Sequence, residues 1–171
     1  LTTADAKLRQ AWEVDLGHPL TDQMWDRCCE QTRWVSCIHR HKLIHFKFLR
    51  RSYVTPMALA GYDVSRSSSC PKCQAPNADF AHMSWTCPVV AQYCAEIFTW
   101  LTSMTQVAQD PDPLLALLGY VQNIPKPMRR YTAIALLLAK REVAITWGIK
   151  HSPNVNAWLR SLSYCDTSEL F

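Results

Sequence analysis

The sequence predicts an all-α fold carrying one metal-binding loop, and three observations lead there. No run of residues alternates apolar and polar with period two for long, so half-buried strands have no signature. Helix-start signals recur instead, at Thr21-Asp22, Thr55-Pro56, Asp112-Pro113 and Ser152-Pro153. Hydrophobic residues fill 49% of the 171 positions and charged residues 19%, which supports a core and excludes intrinsic disorder.

The elements follow in order. Thr3 is placed to cap a first helix to about residue 16, where Gly17 and Pro19 stop it. Thr21 opens a second helical stretch whose apolar spacing runs as far as Arg51. Thr55 and Pro56 start a short helix that Gly61 ends, and a polar loop over 65–69 leads into a cysteine cluster. A helix over about 88–104 follows, then Asp110-Pro111-Asp112-Pro113 breaks the chain. Pro113 suits the first turn of a short helix that ends near Gly119. Pro125 and Pro127 precede a long helix over about 128–149, and Ser152-Pro153 starts the last one, through about 163. The expected organisation is an N-terminal helical part (1–64) with a basic helix, a CCHC zinc knuckle (65–90) and a C-terminal helical part (91–171). All three are expected to join in one domain.

Composition removes several classes. Four glycines are too few for collagen-like repeats. The longest uninterrupted apolar run, 133–139, falls far short of the ~20 residues that span a bilayer, so no membrane partner is expected. The chain starts at Leu1 with no basic segment leading into an apolar stretch, so it reads as a piece of a larger protein without a secretory signal. The net charge of +4 is modest but unevenly spread. Residues 1–30 hold the acids Asp5, Glu13, Asp15, Asp22, Asp26 and Glu30 against Lys7, Arg9 and Arg27. Residues 31–62 hold Arg33, Arg40, Lys42, Lys47, Arg50 and Arg51 and no acid, which points to an anionic partner.

The strongest local signal is Cys70-Pro71-Lys72-Cys73, then His82 after eight residues and Cys87 after four more. Three thiolates and one imidazole form the closed tetrahedral shell that structural zinc prefers. The Cys-x₂-Cys turn lets two sulfurs converge, and Pro71 stiffens it. His82 is expected on a short helix entered through Asn77 or Asp79, with Pro88 opening the next helix after Cys87. Buried cysteines and a satisfied core histidine are the alternative, which the spacing and hydrophilic surroundings disfavour. Cys28, Cys29, Cys37, Cys94 and Cys165 lie in apolar, helix-like surroundings and read as ordinary buried thiols. That division suits a reducing compartment.

Taken as one helix, 33–51 aligns Arg33, Arg40, Lys47 and Arg51 in a stripe about 27 Å long, enough to follow several phosphates. Trp34, Ile38, His41, His45 and Leu49 form the opposing stripe, with the two histidines as core or boundary residues. Arg50 and Lys72 join the candidates for nucleic-acid contact. A second, weaker face pairs Arg129 with Lys140 and Arg130 with Arg141 on the long helix. Solvated helix faces are the bland alternative for both. Tyr53, Tyr62, Phe80 and Trp85 lie around the cysteine loop as stacking candidates, with core packing the competing role. Trp12, Trp25, Trp100, Trp147 and Trp158 sit in helices and read as packing anchors.

Catalysis has little support. No two acids are adjacent, and Asp110 and Asp112 alternate with prolines as turn and cap residues. Four scattered glycines build neither a phosphate loop nor a nucleophile elbow.

Beyond these motifs, Tyr53-Val54-Thr55-Pro56-Met57-Ala58-Leu59, the Cys-x₂-Cys, His82-Met83-Ser84-Trp85 and Cys87-Pro88 together resemble a known pattern. It is that of the zinc-binding C-terminal region of LINE-type (non-LTR) retrotransposon reverse transcriptases. Asp112-Pro113, Leu117-Leu118-Gly119 and the stretch from Ala139-Lys140-Arg141-Glu142 to Trp147 are similar to that family's tail, so the resemblance covers about 20–160. Cys94 departs from it, close to where the family carries a tryptophan. The resemblance implies a non-catalytic module that follows the polymerase, binds one structural zinc and helps hold template RNA during target-primed reverse transcription. It implies RNA (or DNA) and the upstream reverse-transcriptase domains as partners, within a ribonucleoprotein of cytoplasm and nucleus. A protein-interaction domain that docks on the polymerase is the alternative.

Overall fold

The computed structural model describes residues 2–36 and 38–166, and all regular structure among them is helical. Cys37, expected as a buried thiol, lies outside the described residues. Helix α1 (Thr3–Leu16) begins one residue earlier than expected, because Thr2 rather than Thr3 accepts the Asp5 amide. Gly17 ends it at φ 73°, donating its N–H to the Glu13 and Val14 carbonyls. Helix α2 (Asp22–Trp34) takes its cap from Thr21, whose hydroxyl accepts the Met24 amide.

The expected single helix over 33–51 is broken, and α3 (His39–Leu49) is a separate element. Val35 and Ser36 turn inward, at 0% and 2% exposure. The Ser36 hydroxyl accepts the Ile38 amide at 3.0 Å and lies 3.3 Å from His41 Nδ1. A serine that binds local backbone in this way competes with the helical ladder. The break leaves Trp34 and Ile38 exposed, while His41, His45 and Leu49 keep the inward face of α3.

Helix α4 (Pro56–Tyr62) starts as expected, with the Thr55 hydroxyl accepting the Ala58 amide and a proline in its first turn. After the cysteine loop come a π-helical turn (His82–Thr86), then α5 (Pro88–Thr105) and α6 (Pro113–Leu118). Asp112 caps α6 by accepting the Leu114 amide, and Gly119 closes it at φ 71°. Helix α7 (Lys126–Ile145) stops four residues short of the expected end, and α8 (Val155–Asp166) follows it.

Helix α7 is the centre of the molecule. Every residue from Thr132 to Lys140 is buried, and α3, α5, α6 and α8 pack around it. One cluster of buried side chains runs from Trp12 to Cys165 and includes Cys70 and Cys87, so the cysteine loop joins the main core. Tryptophans tie distant segments through both ring and N–H. Trp12 Nε1 donates to the Leu49 carbonyl at 2.9 Å, Trp158 Nε1 to Ala135 at 2.8 Å and Trp147 Nε1 to Val54 at 2.7 Å. Among the described residues no helix is long and apolar enough to cross a membrane.

Candidate functional site

The cysteine loop is a tight turn. The Gln74 amide donates to the Cys70 carbonyl at 2.9 Å and the Cys70 amide to the Ala75 carbonyl at 2.8 Å. Gln74 adopts the left-handed conformation, at φ 64°. On the far side, Asp79 accepts the His82 amide at 2.8 Å and so starts the helical turn that carries this histidine. Five residues at 100° each would set His82 and Cys87 about 140° apart on an α-helix. The chain forms a π-turn instead, with the Cys87 amide donating to the His82 carbonyl at 2.9 Å. The wider i→i+5 closure brings both side chains to the same side.

These turns gather one ligand atom each from Cys70, Cys73, His82 and Cys87, all within 4.8 Å of one another. The Cys70 and Cys87 sulfurs are 3.8 Å apart, and Cys73 Sγ lies 3.2 Å from His82 Nε2. A tetrahedral ion with Zn–S of ~2.3 Å and Zn–N of ~2.05 Å has S···S edges of about 3.8 Å and S···N edges of about 3.6 Å. Covalent sulfur pairs would stand ~2.05 Å apart, so the cysteines are free thiols. Cys70 and Cys87 are buried and Cys73 and His82 half-buried. The donor set fits a metal ion of the thiophilic kind, held by four protein ligands with none of its positions assigned to solvent.

Electrostatics agree with that chemistry. Burial raises the Cys70 thiol, but hydrogen bonds to its sulfur from the Cys73 and Lys72 backbone amides and from the Cys73 and Cys87 thiols together outweigh burial and lower its pKa. Burial pushes Cys87 up to about 11. Adjacent sulfurs that cannot all ionise alone are what a dication relieves, since metal binding replaces their protons. Cys28 and Cys94, both raised to about 12 by burial, have the character of inert thiols. Cys29 and Cys94 are half-buried rather than fully enclosed.

The basic candidates separate into three kinds. Arg33, Arg40 and Arg130 are exposed, and so is Lys47, which lies 5.7 Å over the Tyr53 ring. Others hold structure. Arg50 pairs with Asp5 at 2.7 Å, and Arg51 pairs with Asp15 while its guanidinium lies 5.1 Å over Trp12 and 4.8 Å over Phe80. Arg129 donates to the Ile124 and Gln122 carbonyls at 2.8 and 2.7 Å, and Arg141 pairs with Glu142 at 3.0 Å. Lys72 Nζ donates to the carbonyls of Thr146, Trp147 and Ile149 just past the end of α7. Lys140 corrects the expectation most sharply: it is buried in the core against His45 and does not face solvent.

The aromatic candidates divide as well. Phe80 packs on Trp12, Phe48 and Trp147, and Tyr53 packs on Phe48 and Trp147. Trp85 meets Phe98 edge-on, while Tyr62 is 88% exposed. Leu43 and Phe46 were not singled out by spacing, yet both are exposed on α3 among its bases. No protein-family model matches the chain, and no curated protein does.

Proposed function

We propose that this chain is a zinc-stapled RNA-binding module, the C-terminal region of a LINE-type reverse transcriptase. It helps hold template RNA in the ribonucleoprotein, in cytoplasm and nucleus, during target-primed reverse transcription. Nuclease and polymerase chemistry belong to upstream domains on which it docks, and its own contribution is binding. The motif resemblance supports the family, and the Cys70, Cys73, His82 and Cys87 geometry supports zinc.

The outer face of α3 carries the reading. His39, Arg40, Leu43, Phe46, Lys47 and Arg50 are all exposed there. At 100° per residue they share an arc of about 120°, about 16 Å long. No acid occurs between 31 and 62, and Asp5 of α1 reaches this face at its far end, on Arg50. Bases interleaved with exposed apolar side chains suit a polyanion whose bases also need cover. The test is binding of a single-stranded RNA 12-mer at several salt concentrations. Replacing Arg40, Lys47 and Arg50 by Gln together should flatten the slope of log K against log salt by up to ~2.1, with zinc content and helicity unchanged. Wild-type protein that binds no RNA, or a triple variant with the original slope, overturns the reading.

A second observation favours the docking alternative. Helix α4 buries no side chain, and Val54, Met57, Leu59, Tyr62 and Val64 are exposed along and beside it. Exposed apolar side chains gathered on one short helix suit a partner interface. Association with the polymerase domains that persists at high salt while RNA binding is absent would select that alternative.

A further inference from the structure

The start of α3 and the flanks of α7 and α8 enclose an open groove of about 560 Å³. That volume falls within the range of small-ligand clefts. Its lining sorts by exposure. Leu138 and Cys165 are buried and form an apolar floor, Arg40 and Arg141 bring two guanidinium groups, and Tyr164, 78% exposed, stands on α8 beside Ser161. The bases come from helices about a hundred residues apart in sequence, so the fold and not a local charge run assembles the site. Arg141 uses one of its five N–H donors on Glu142 at 3.0 Å. The N-cap of α3 is Ile38, an aliphatic side chain that cannot accept the first-turn amides, so the positive end of that helix adds to the same groove.

We infer that this groove takes one unpaired nucleotide of a single strand, its phosphate held by Arg40 and Arg141 and its base stacked on Tyr164. The inference rests on the RNA reading above and adds strandedness to it. Guanidinium groups match phosphate geometry, and an exposed aromatic side chain lining the same groove as buried apolar residues suits a base face. A base locked in a duplex stack cannot enter such a cleft without being flipped out. Arg40 also lies on the outer face of α3, so a strand tracking that face leads directly into the groove.

The test compares affinities of the full chain for a single-stranded RNA 12-mer and for the duplex of the same sequence, with polyglutamate as a non-stacking anionic competitor. Tyr164→Ala should weaken single-strand binding about tenfold without changing the salt slope, because no charge is lost. Tyr164→Phe should bind like wild type, since the ring face is kept. Arg40→Gln should weaken binding and flatten the slope by ~0.7, and Arg27→Gln, outside the groove, should stay within twofold. Duplex RNA should bind more weakly than the single strand and be indifferent to Tyr164→Ala. Full single-strand affinity in Tyr164→Ala, or displacement by polyglutamate as effective as by RNA, overturns the groove while leaving salt-dependent binding on α3 intact. Wild-type protein that binds neither form overturns the RNA reading and the groove together.

Discussion

Lys140 spaces with Arg129 as half of a surface pair, yet its ammonium sits in the core. It is 2.7 Å from His45 Nδ1 and 3.1 Å from the Leu117 carbonyl, with the Phe48 ring 5.8 Å away. His45 Nε2 lies 3.2 Å from the Cys28 carbonyl, which assigns its N–H to Nε2 and leaves Nδ1 to accept from lysine. Burial pulls Lys140 down to about 7. Burial and the nearby ammonium also hold His45 well below the usual histidine range. Between pH 7 and about 10.5 the unfolded chain therefore keeps a lysine proton that the folded chain sheds, so stability rises with pH. The slope reaches at most about 1.4 kcal/mol per pH unit from this group. His45 acts in the same direction below about 6.5, where only the unfolded state gains its proton. Above about pH 9 the buried Cys28 and half-buried Cys94 thiols, raised to about 12, oppose the trend because only unfolded thiols ionise there. The urea midpoint should therefore climb from pH 7.0 to 8.5. Lys140→Met should lose most of that climb, and a variant with the wild-type slope would show that lysine keeps its proton in the fold. Sequence spacing identifies His45 as inward-facing but not its partner, because the two residues are 95 positions apart.

At the scale of elements, local signals and local structure agree wherever a cap decides the matter. Thr21, Thr55 and Asp112 each accept a first-turn amide, as their sequence positions imply. The break at Ser36 was not legible, since no glycine or proline marks it and the deciding interactions are burial and a hydroxyl turned inward. The four-residue donor cluster was legible from spacing, but the π-turn that aims His82 and Cys87 together was not. Cys73→Ser and His82→Ala should each lower bound metal sharply in metal analysis, whereas Cys28→Ala and Cys94→Ala should keep it. Metal lost from Cys94→Ala would reassign the ligand set. Gly119 closes α6 under two constraints. Its φ of 71° disfavours any side chain, and a Cβ there would sit 1.4 Å from the Gln31 amide. With its NH₂ facing the helix end, Gln31 donates to the Leu118 and Gly119 carbonyls at 3.2 and 3.0 Å. Gly119→Ala should thus cost about 2–4 kcal/mol, from left-handed strain plus overpacking. In a chain of this size that is a Tm drop of roughly 4–16 °C by calorimetry. A drop below 2 °C would mean that α6 and Gln31 separate freely.

Across the whole molecule, the acidic and basic blocks of the sequence partly answer each other. Asp5 and Asp15 of α1 pair with Arg50 and Arg51 at the end of α3, so some of the charge that suggests an external anion is met internally. Sequence blocks show charge density, whereas only the fold shows which charges meet, and Arg40 and Lys47 stay exposed while Arg51 does not face outward alone. The same long-range logic ties the metal loop to the helical core. Lys72, inside the Cys-x₂-Cys turn, donates to the carbonyls following α7, and Trp147 donates to Val54 ahead of α4. Phe48, Phe80, Tyr53 and Trp147 pack between these two links. Structural zinc sites contribute on the order of 10–16 kcal/mol of apparent binding free energy in small fingers that lack a core. Here the core is long and continuous, so α5, α7 and α8 do not depend on the metal for burial. Chelation should therefore open the molecule locally, not globally. Hydrogen exchange after metal removal should speed up over 66–87 and over 146–149, where Lys72 lets go of its carbonyls. Amides of 132–140 in α7 should keep their protection. Loss of protection throughout α7 would show that the metal organises the entire core, and unchanged exchange over 66–87 would show that the loop holds without it.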